Sequence, residues 1–132
     1  MELYVGGMAQ GKLAYVKEKY KEKPMTICDL STMEEVSEEW ITAIMTSDVL
    51  YGFHHLVKQC VEQEIDVYKI LEELFVKMPS VIIICNEVGA GIVPMKREER
   101  AYRELVGRTC CEIAKRAQVV ERILCGVGVR IK

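Results

Sequence analysis

Short apolar runs that alternate with amphipathic helical stretches predict a layered α/β sandwich, and two observations tie that architecture to a function. A glycine-rich turn, Gly6 to Lys12, separates the first apolar run from the first helical stretch. Polar residues, Asp29 and Asn86-Glu87, stand just beyond the second and third apolar runs. In open α/β sheets, ligands bind outside the carboxyl ends of the strands, so these three features are expected to meet there.

The elements follow in order. Residues 2 to 5 read as a strand, and Lys12 to about Tyr20 as a helix with Leu13, Val16 and Tyr20 on one stripe. Lys21 to Pro24 breaks that helix, and Met25-Thr26-Ile27-Cys28 reads as a buried parallel strand ending at Asp29. Ser31 or Thr32 is placed to cap a helix from near Met33, with Glu34 and Glu35 in its first turn, where the macrodipole favours acids. From Glu34 to Met78 the pattern is helical, interrupted near Thr46 to Asp48, at Gly52 and at Asp66. Within it, Val67, Ile70, Leu71, Leu74 and Phe75 recur at helical spacing. Pro79-Ser80 turns the chain into Val81-Ile82-Ile83-Ile84-Cys85, the most apolar run and the candidate central strand. A loop, Asn86 to Pro94, leads to a charged amphipathic helix from Lys96 to about Ala117, and Val119 to Cys125 and Val127 to Ile131 form two last strands around Gly126.

Composition narrows the function. A chain of 132 residues, half of them hydrophobic, supports one domain spanning residues 1–132 with a substantial core. Eighteen basic against twenty acidic residues leave a net charge of −2, which gives no electrostatic footprint for nucleic acid or an anionic membrane. No apolar stretch approaches the ~20 residues of a membrane span, and the first residues lack a signal-peptide layout. The six cysteines show no C-x-x-C metal spacing, and three of them sit in apolar runs. Reduced thiols and a cytoplasmic protein are expected. The vicinal Cys110-Cys111 reads as two small residues on a helix, with a redox pair as the alternative. His54-His55 reads as packing or surface, and Trp40 as a core or interface aromatic.

Gly6-Gly7-Met8-Ala9-Gln10-Gly11-Lys12-Leu13 completes the phosphate-loop pattern G-x-x-x-x-G-K-[ST] except at its last position. Glycines let backbone N–H groups approach phosphate oxygens, Lys12 supplies a point charge, and the helix that follows aims its N-terminal dipole at the same anion. Leu13 has no oxygen with which to ligate magnesium. Nucleotide binding by Gly6 to Leu13 is expected, with ATP or GTP as ligand, and magnesium-assisted transfer is put in question by Leu13. Asp29 is a candidate for the magnesium-side carboxylate, with a helix cap as the alternative. Glu87 is open between a second metal-side carboxylate, a base for an acceptor hydroxyl, and a loop charge.

The run Asn86-Glu87-Val88-Gly89-Ala90-Gly91-Ile92-Val93-Pro94 resembles the NEVGxGIVP signature of the bifunctional adenosylcobinamide kinase / adenosylcobinamide-phosphate guanylyltransferase family of cobalamin biosynthesis. Arg97, Arg100, Arg103 and Gly107-Arg108 fit its R-x-x-R-x-x-R-[DE]-x-x-G-R pattern, and Gly126 to Lys132 is similar to its terminal G-x-G-V-K-I-K. Upstream, Gly6 to Lys12 matches its G-G-x-x-x-G-K-S loop, and Asp29 and Thr32 match its D-C-L-T. The resemblance implies a RecA-like three-layer phosphate-loop sandwich with a mostly parallel sheet. It also implies ATP- or GTP-dependent phosphorylation of a cobinamide hydroxyl, with Lys12, Asp29 and Glu87 in catalytic positions, and a homo-oligomer, since family members are trimers.

Three departures accompany the resemblance. The segment bearing the family's R-I-x-x-H-x-x-x-R-P-x-x-W motif has no counterpart between Tyr20 and Met25, which shortens the fold by one strand-and-crossover unit, roughly 30 residues, and removes the guanylylated histidine. Leu13 replaces a serine, and Cys110-Cys111 replaces an Asn-Gln pair. A kinase-like transferase without guanylyl transfer is expected, with a catalytically inactive nucleotide-binding or assembly homologue as the alternative.

Overall fold

The computed structural model describes residues 1–89 and 94–132. Among the described residues six strands form one sheet: β1 (Glu2–Gly6), β2 (Ile27–Asp29), β3 (Val49–Tyr51), β4 (Ile82–Asn86), β5 (Val119–Leu124) and β6 (Val127–Arg130). Their order is β2-β3-β4-β1-β5-β6. All neighbours are parallel except the β5–β6 hairpin. The helices are α1 (Lys12–Lys19), α2 (Glu38–Thr46), α3 (Phe53–Glu62), α4 (Val67–Lys77) and α5 (Arg97–Arg116).

Successive strand residues point to opposite faces, and this period of two sorts the apolar runs into two cores. Tyr4, Val49, Ile82, Ile84 and Ile123 face α1, where Val16, Leu13, Tyr15 and Tyr20 cover them. Leu3, Leu50, Ile83, Cys85 and Val120 face the larger core, to which α2 to α5 contribute Ile44, Phe53, Leu56, Ile70, Leu71, Leu74, Val106 and Ile113. The result is three layers with β1 and β4 at the centre. The run Val81 to Cys85 is apolar throughout because both faces of β4 are covered. Removing a fully buried Ile83 or Ile84 side chain back to alanine costs about 2–5 kcal/mol.

Gly6 ends β1 beside β5, where an added Cβ would lie 2.4 Å from the Ile123 carbonyl oxygen. Only glycine passes there. Just beyond this same end of β5, the hairpin tip takes Cys125 and Gly126 through positive φ angles of 52° and 75°.

Three local expectations are corrected. Val49–Tyr51 is a strand rather than part of the helical stretch expected between the breaks at Thr46 to Asp48 and at Gly52, with each residue paired to both β2 and β4. No helix starts at Met33; Leu30–Thr32 is a single 3-10 turn, and α2 begins at Glu38, capped by the Ser37 hydroxyl, which accepts from the Trp40 N–H at 3.3 Å. The second strand is Ile27–Asp29, which starts two residues later than the apolar run from Met25 suggests and ends at Asp29 as expected. All six cysteines are free, and Cys28, Cys60 and Cys85 are buried. Among the described residues no helix is long and apolar enough to cross a membrane.

Candidate functional site

The turn from Gly6 to Lys12 rises from the carboxyl end of β1 and feeds directly into α1. Ala9 and Gly11 adopt the left-handed conformation, with φ of 58° and 82°. Such residues curl the chain so that successive N–H groups face one concavity, the arrangement that collects an anion. Gly11 is the N-cap of α1 and offers no side chain, so the first helical N–H groups lack a side-chain acceptor. Two further bonds anchor the turn: the Gln10 carbonyl accepts from Gly126 N–H at 2.8 Å, and the Gln10 side-chain oxygen accepts from Cys125 N–H at 2.7 Å. The tip of the β5–β6 hairpin therefore braces the turn.

Lys12 is buried, and its ammonium donates to the Gly7 carbonyl at 2.6 Å. Burial lowers its pKa, while Cys85 and Glu87 oppose that shift. A cation held back on its own turn has its charge poorly hydrated, which favours exchange of the carbonyl for a stronger anionic acceptor. Leu13 packs against the core beneath α1 and contributes only carbon.

An open cavity of about 330 Å³ lies over this turn, lined by Met8 to Ala14, Tyr51 and Asn86. Tyr51 closes β3 and Asn86 closes β4, so the polar wall comes from the ends of the two strands next in line. Register sets Asn86 beside Gly6, and Glu87 N–H donates to the Gly6 carbonyl at 2.9 Å. Behind Asn86, the His54 Nδ1 accepts from the Asn86 N–H at 3.3 Å. Burial, then the charges of His55 and Lys12, lower the His54 pKa to about 4, so the ring is neutral near pH 7.

The structure separates the residues grouped by the sequence. Glu87 remains close to the turn but is clamped by Arg122 of β5, whose Nε and terminal nitrogen donate to its two oxygens at 2.8 and 3.0 Å. Asp29 is elsewhere: β2 is the edge strand, three strand spacings or roughly 14 Å from β1. Its carboxylate accepts from the Ser31 N–H at 3.0 Å and the Ser31 hydroxyl at 2.6 Å, which caps the 3-10 turn. The cap is the alternative that the geometry displays, and Asp29 does not line the cavity. Tyr51 is the lining residue that sequence reasoning passed over, because its strand was not recognised. The middle of the NEVGAGIVP loop, residues 90–93, lies outside the described residues.

Magnesium is poorly matched to this lining. The cavity presents the Gln10 and Asn86 amides and the Tyr51 hydroxyl but no carboxylate, and Leu13 holds the position of the usual hydroxyl. Among the described residues, no group of three or more His, Cys, Asp or Glu side chains is placed to hold a metal ion.

A mostly parallel sheet between helical layers, with a glycine-bearing turn joining its central strand to a helix, defines a phosphate-loop-like three-layer α/β protein. The model of the cobinamide kinase / cobinamide phosphate guanyltransferase family matches residues 28–131, and the chain belongs to that family. The bifunctional adenosylcobalamin biosynthesis proteins CobU of Escherichia coli (strain K12) and Salmonella typhimurium are each 42% identical to it over 53 residues. That stretch covers 40% of this chain and 29% of either relative, so less than a third of each is matched. The Gly6–Lys12 turn precedes the span matched by the family model.

Proposed function

We propose that the chain binds ATP or GTP on the Gly6–Leu13 turn and transfers the terminal phosphoryl group to cobinamide, as a kinase-like member of its family without the guanylyl-transfer step. The observation that carries this reading is the joint geometry of the turn, Lys12 and the cavity: left-handed residues at Ala9 and Gly11, a buried ammonium on a replaceable carbonyl, and open space above α1. Lys12 and the N–H groups of the turn neutralise the phosphates. Asn86 and Tyr51 stand where they can orient the outer phosphate or the acceptor hydroxyl, and transfer of this kind rests on positioning and charge neutralisation. No protein oxygen of the lining would hold magnesium, and neither Asp29 nor Glu87 is assigned a step in the transfer. The acting form is a homo-oligomer.

The decisive experiment incubates purified protein with cobinamide and ATP or GTP. Phosphorylated cobinamide that disappears in Lys12→Ala supports the kinase; no product at millimolar nucleotide removes it. A second reading, a nucleotide-binding homologue that has lost catalysis, is favoured by the absence of an oxygen at Leu13 and by the Arg122 clamp on Glu87. It predicts that nucleotide raises the melting temperature without turnover.

A further inference from the structure

Cys85 and Cys110 are 25 positions apart in sequence, yet their Sγ atoms lie 3.6 Å from each other, within sulfur hydrogen-bonding range. Cys85 is the penultimate residue of β4 and is fully buried; Cys110 is on the inward side of α5, packed on the same core but only partly buried. Their vicinal and nearby rivals are placed differently: Cys111 and Cys125 are exposed, one on the outer side of α5 and the other at the hairpin tip. We propose that Cys85 and Cys110 form a dithiol modification site that low-molecular-weight disulfides convert to an internal disulfide.

The two sulfurs have unequal roles. A hydrogen bond with Cys85 lowers the pKa of Cys110, although burial and Glu87 oppose it, whereas the same contact, together with burial, raises Cys85. Cys110, the more accessible member, attacks as the thiolate, since the thiolate is the nucleophile and needs access. It forms a bond to one sulfur of a disulfide such as oxidised glutathione and expels the other half as a thiolate. That leaving group takes the Cys85 proton. The Cys85 thiolate then attacks the Cys110 sulfur, breaking the mixed disulfide and expelling the second small thiolate, which takes up from solvent the proton that Cys110 gave up on ionising. Two protein thiols and one small disulfide thus become one protein disulfide and two small thiols.

Closing the sulfurs from 3.6 Å to a bond length of about 2.05 Å draws the end of β4 toward α5. Cys85 immediately precedes Asn86, and its Sγ already lies 3.5 Å from the Asn86 carbonyl oxygen, so the bridge forms directly behind the cavity wall. The site was hidden from sequence because only the fold brings positions 85 and 110 together. The adjacent Cys110-Cys111 pair, the redox candidate visible in the sequence, divides between the two sides of α5.

The test treats the reduced, full chain with oxidised glutathione and maps the products by mass spectrometry after proteolysis under non-reducing conditions. The expected product has lost two hydrogens and joins the peptides carrying Cys85 and Cys110. A variant with Cys111→Ser and Cys125→Ser should give the same bridge. Cys85→Ala and Cys85→Ser should each stop at glutathione attached to Cys110, and Cys110→Ser should retain a free Cys85. A wild-type chain that keeps both thiols, ends as a stable glutathione adduct, or bridges through Cys111 or Cys125 overturns the proposal.

Discussion

Lys12 donates to the Gly7 carbonyl of its own turn, and this makes its substitution informative. Lys12→Ala removes the cation that a phosphate would draw away from Gly7. Saturating nucleotide, at one hundred times its dissociation constant, should stabilise the wild-type chain by about 2.7 kcal/mol, and this gain should vanish in the variant. Thermal melts with and without nucleotide measure it. Leu13 poses the converse experiment. Leu13→Ser replaces carbon that packs beneath α1 with the hydroxyl that phosphate loops use for magnesium. The variant should melt below the wild type, with a loss of about 1–2 kcal/mol from truncating a half-buried side chain, while its nucleotide affinity becomes more dependent on magnesium. An affinity equal with and without magnesium would show that the turn does not present position 13 to the phosphates. The glycine spacing and Lys12 were legible in the sequence because a phosphate-binding turn is a local structure. The acceptor that Lys12 uses was not, since it depends on how tightly the turn curls.

Elements differ in how far their sequences announce them. α4 can be placed from its helical periodicity, and β4 from a short unbroken apolar run bounded by Pro79-Ser80 and Asn86. Val49–Tyr51 is only three residues between two helices, and its strand character comes from pairing on both sides with β2 and β4. α2 starts later than the expected Met33 for a related reason: Ser31 reads as a cap, but Asp29 holds it in a turn, and Ser37 caps the helix instead. Glycines within elements give the clearest test at this scale. Gly107 sits within α5 with nothing within 4 Å of an added Cβ, so Gly107→Ala should stabilise the chain by about 0.5–1 kcal/mol in urea unfolding. Gly128 on β6 is the opposite case. An added Cβ would lie 2.3 Å from the Tyr15 hydroxyl, so Gly128→Ala should displace Tyr15 from the β5–β6 hairpin and destabilise the chain. Equal effects from the two substitutions would contradict this account of the hairpin's packing on α1.

At the scale of the whole molecule, strand order decides what the strand ends can do together. The sequence marks Asp29, Gly6 and Asn86 as strand ends alike, but the order β2-β3-β4-β1 puts Asn86 beside the turn and Asp29 at the edge. Order is a long-range property, fixed by which apolar faces cover one another, and no local pattern encodes it. The same assembly buries His54 between α3 and the end of β4, with the tilted His55 ring 4.1 Å away between ring centres and Lys12 adding positive charge. Its folded pKa of about 4 lies below the ordinary value of 6.5. Between these values the unfolded chain binds a proton that the folded chain refuses, so unfolding takes up protons and stability rises with pH across that window. The contribution of His54 is therefore complete above pH 6.5 and declines as pH falls toward 4. Thr26 lowers the pKa of Asp48 through backbone and side-chain bonds, and the Tyr15 and Lys19 contacts lower that of Glu121 although burial opposes them; these carboxylates add losses of the same sign at still lower pH. Urea midpoints measured from pH 7 to pH 4 should fall steadily in the wild type. In His54→Gln, which keeps an acceptor for the Asn86 N–H but cannot titrate, the decline should flatten between pH 6.5 and 4.5 and resume below. An unchanged slope in the variant would assign the decline to other groups and leave His54 without a role in the acid sensitivity of the fold.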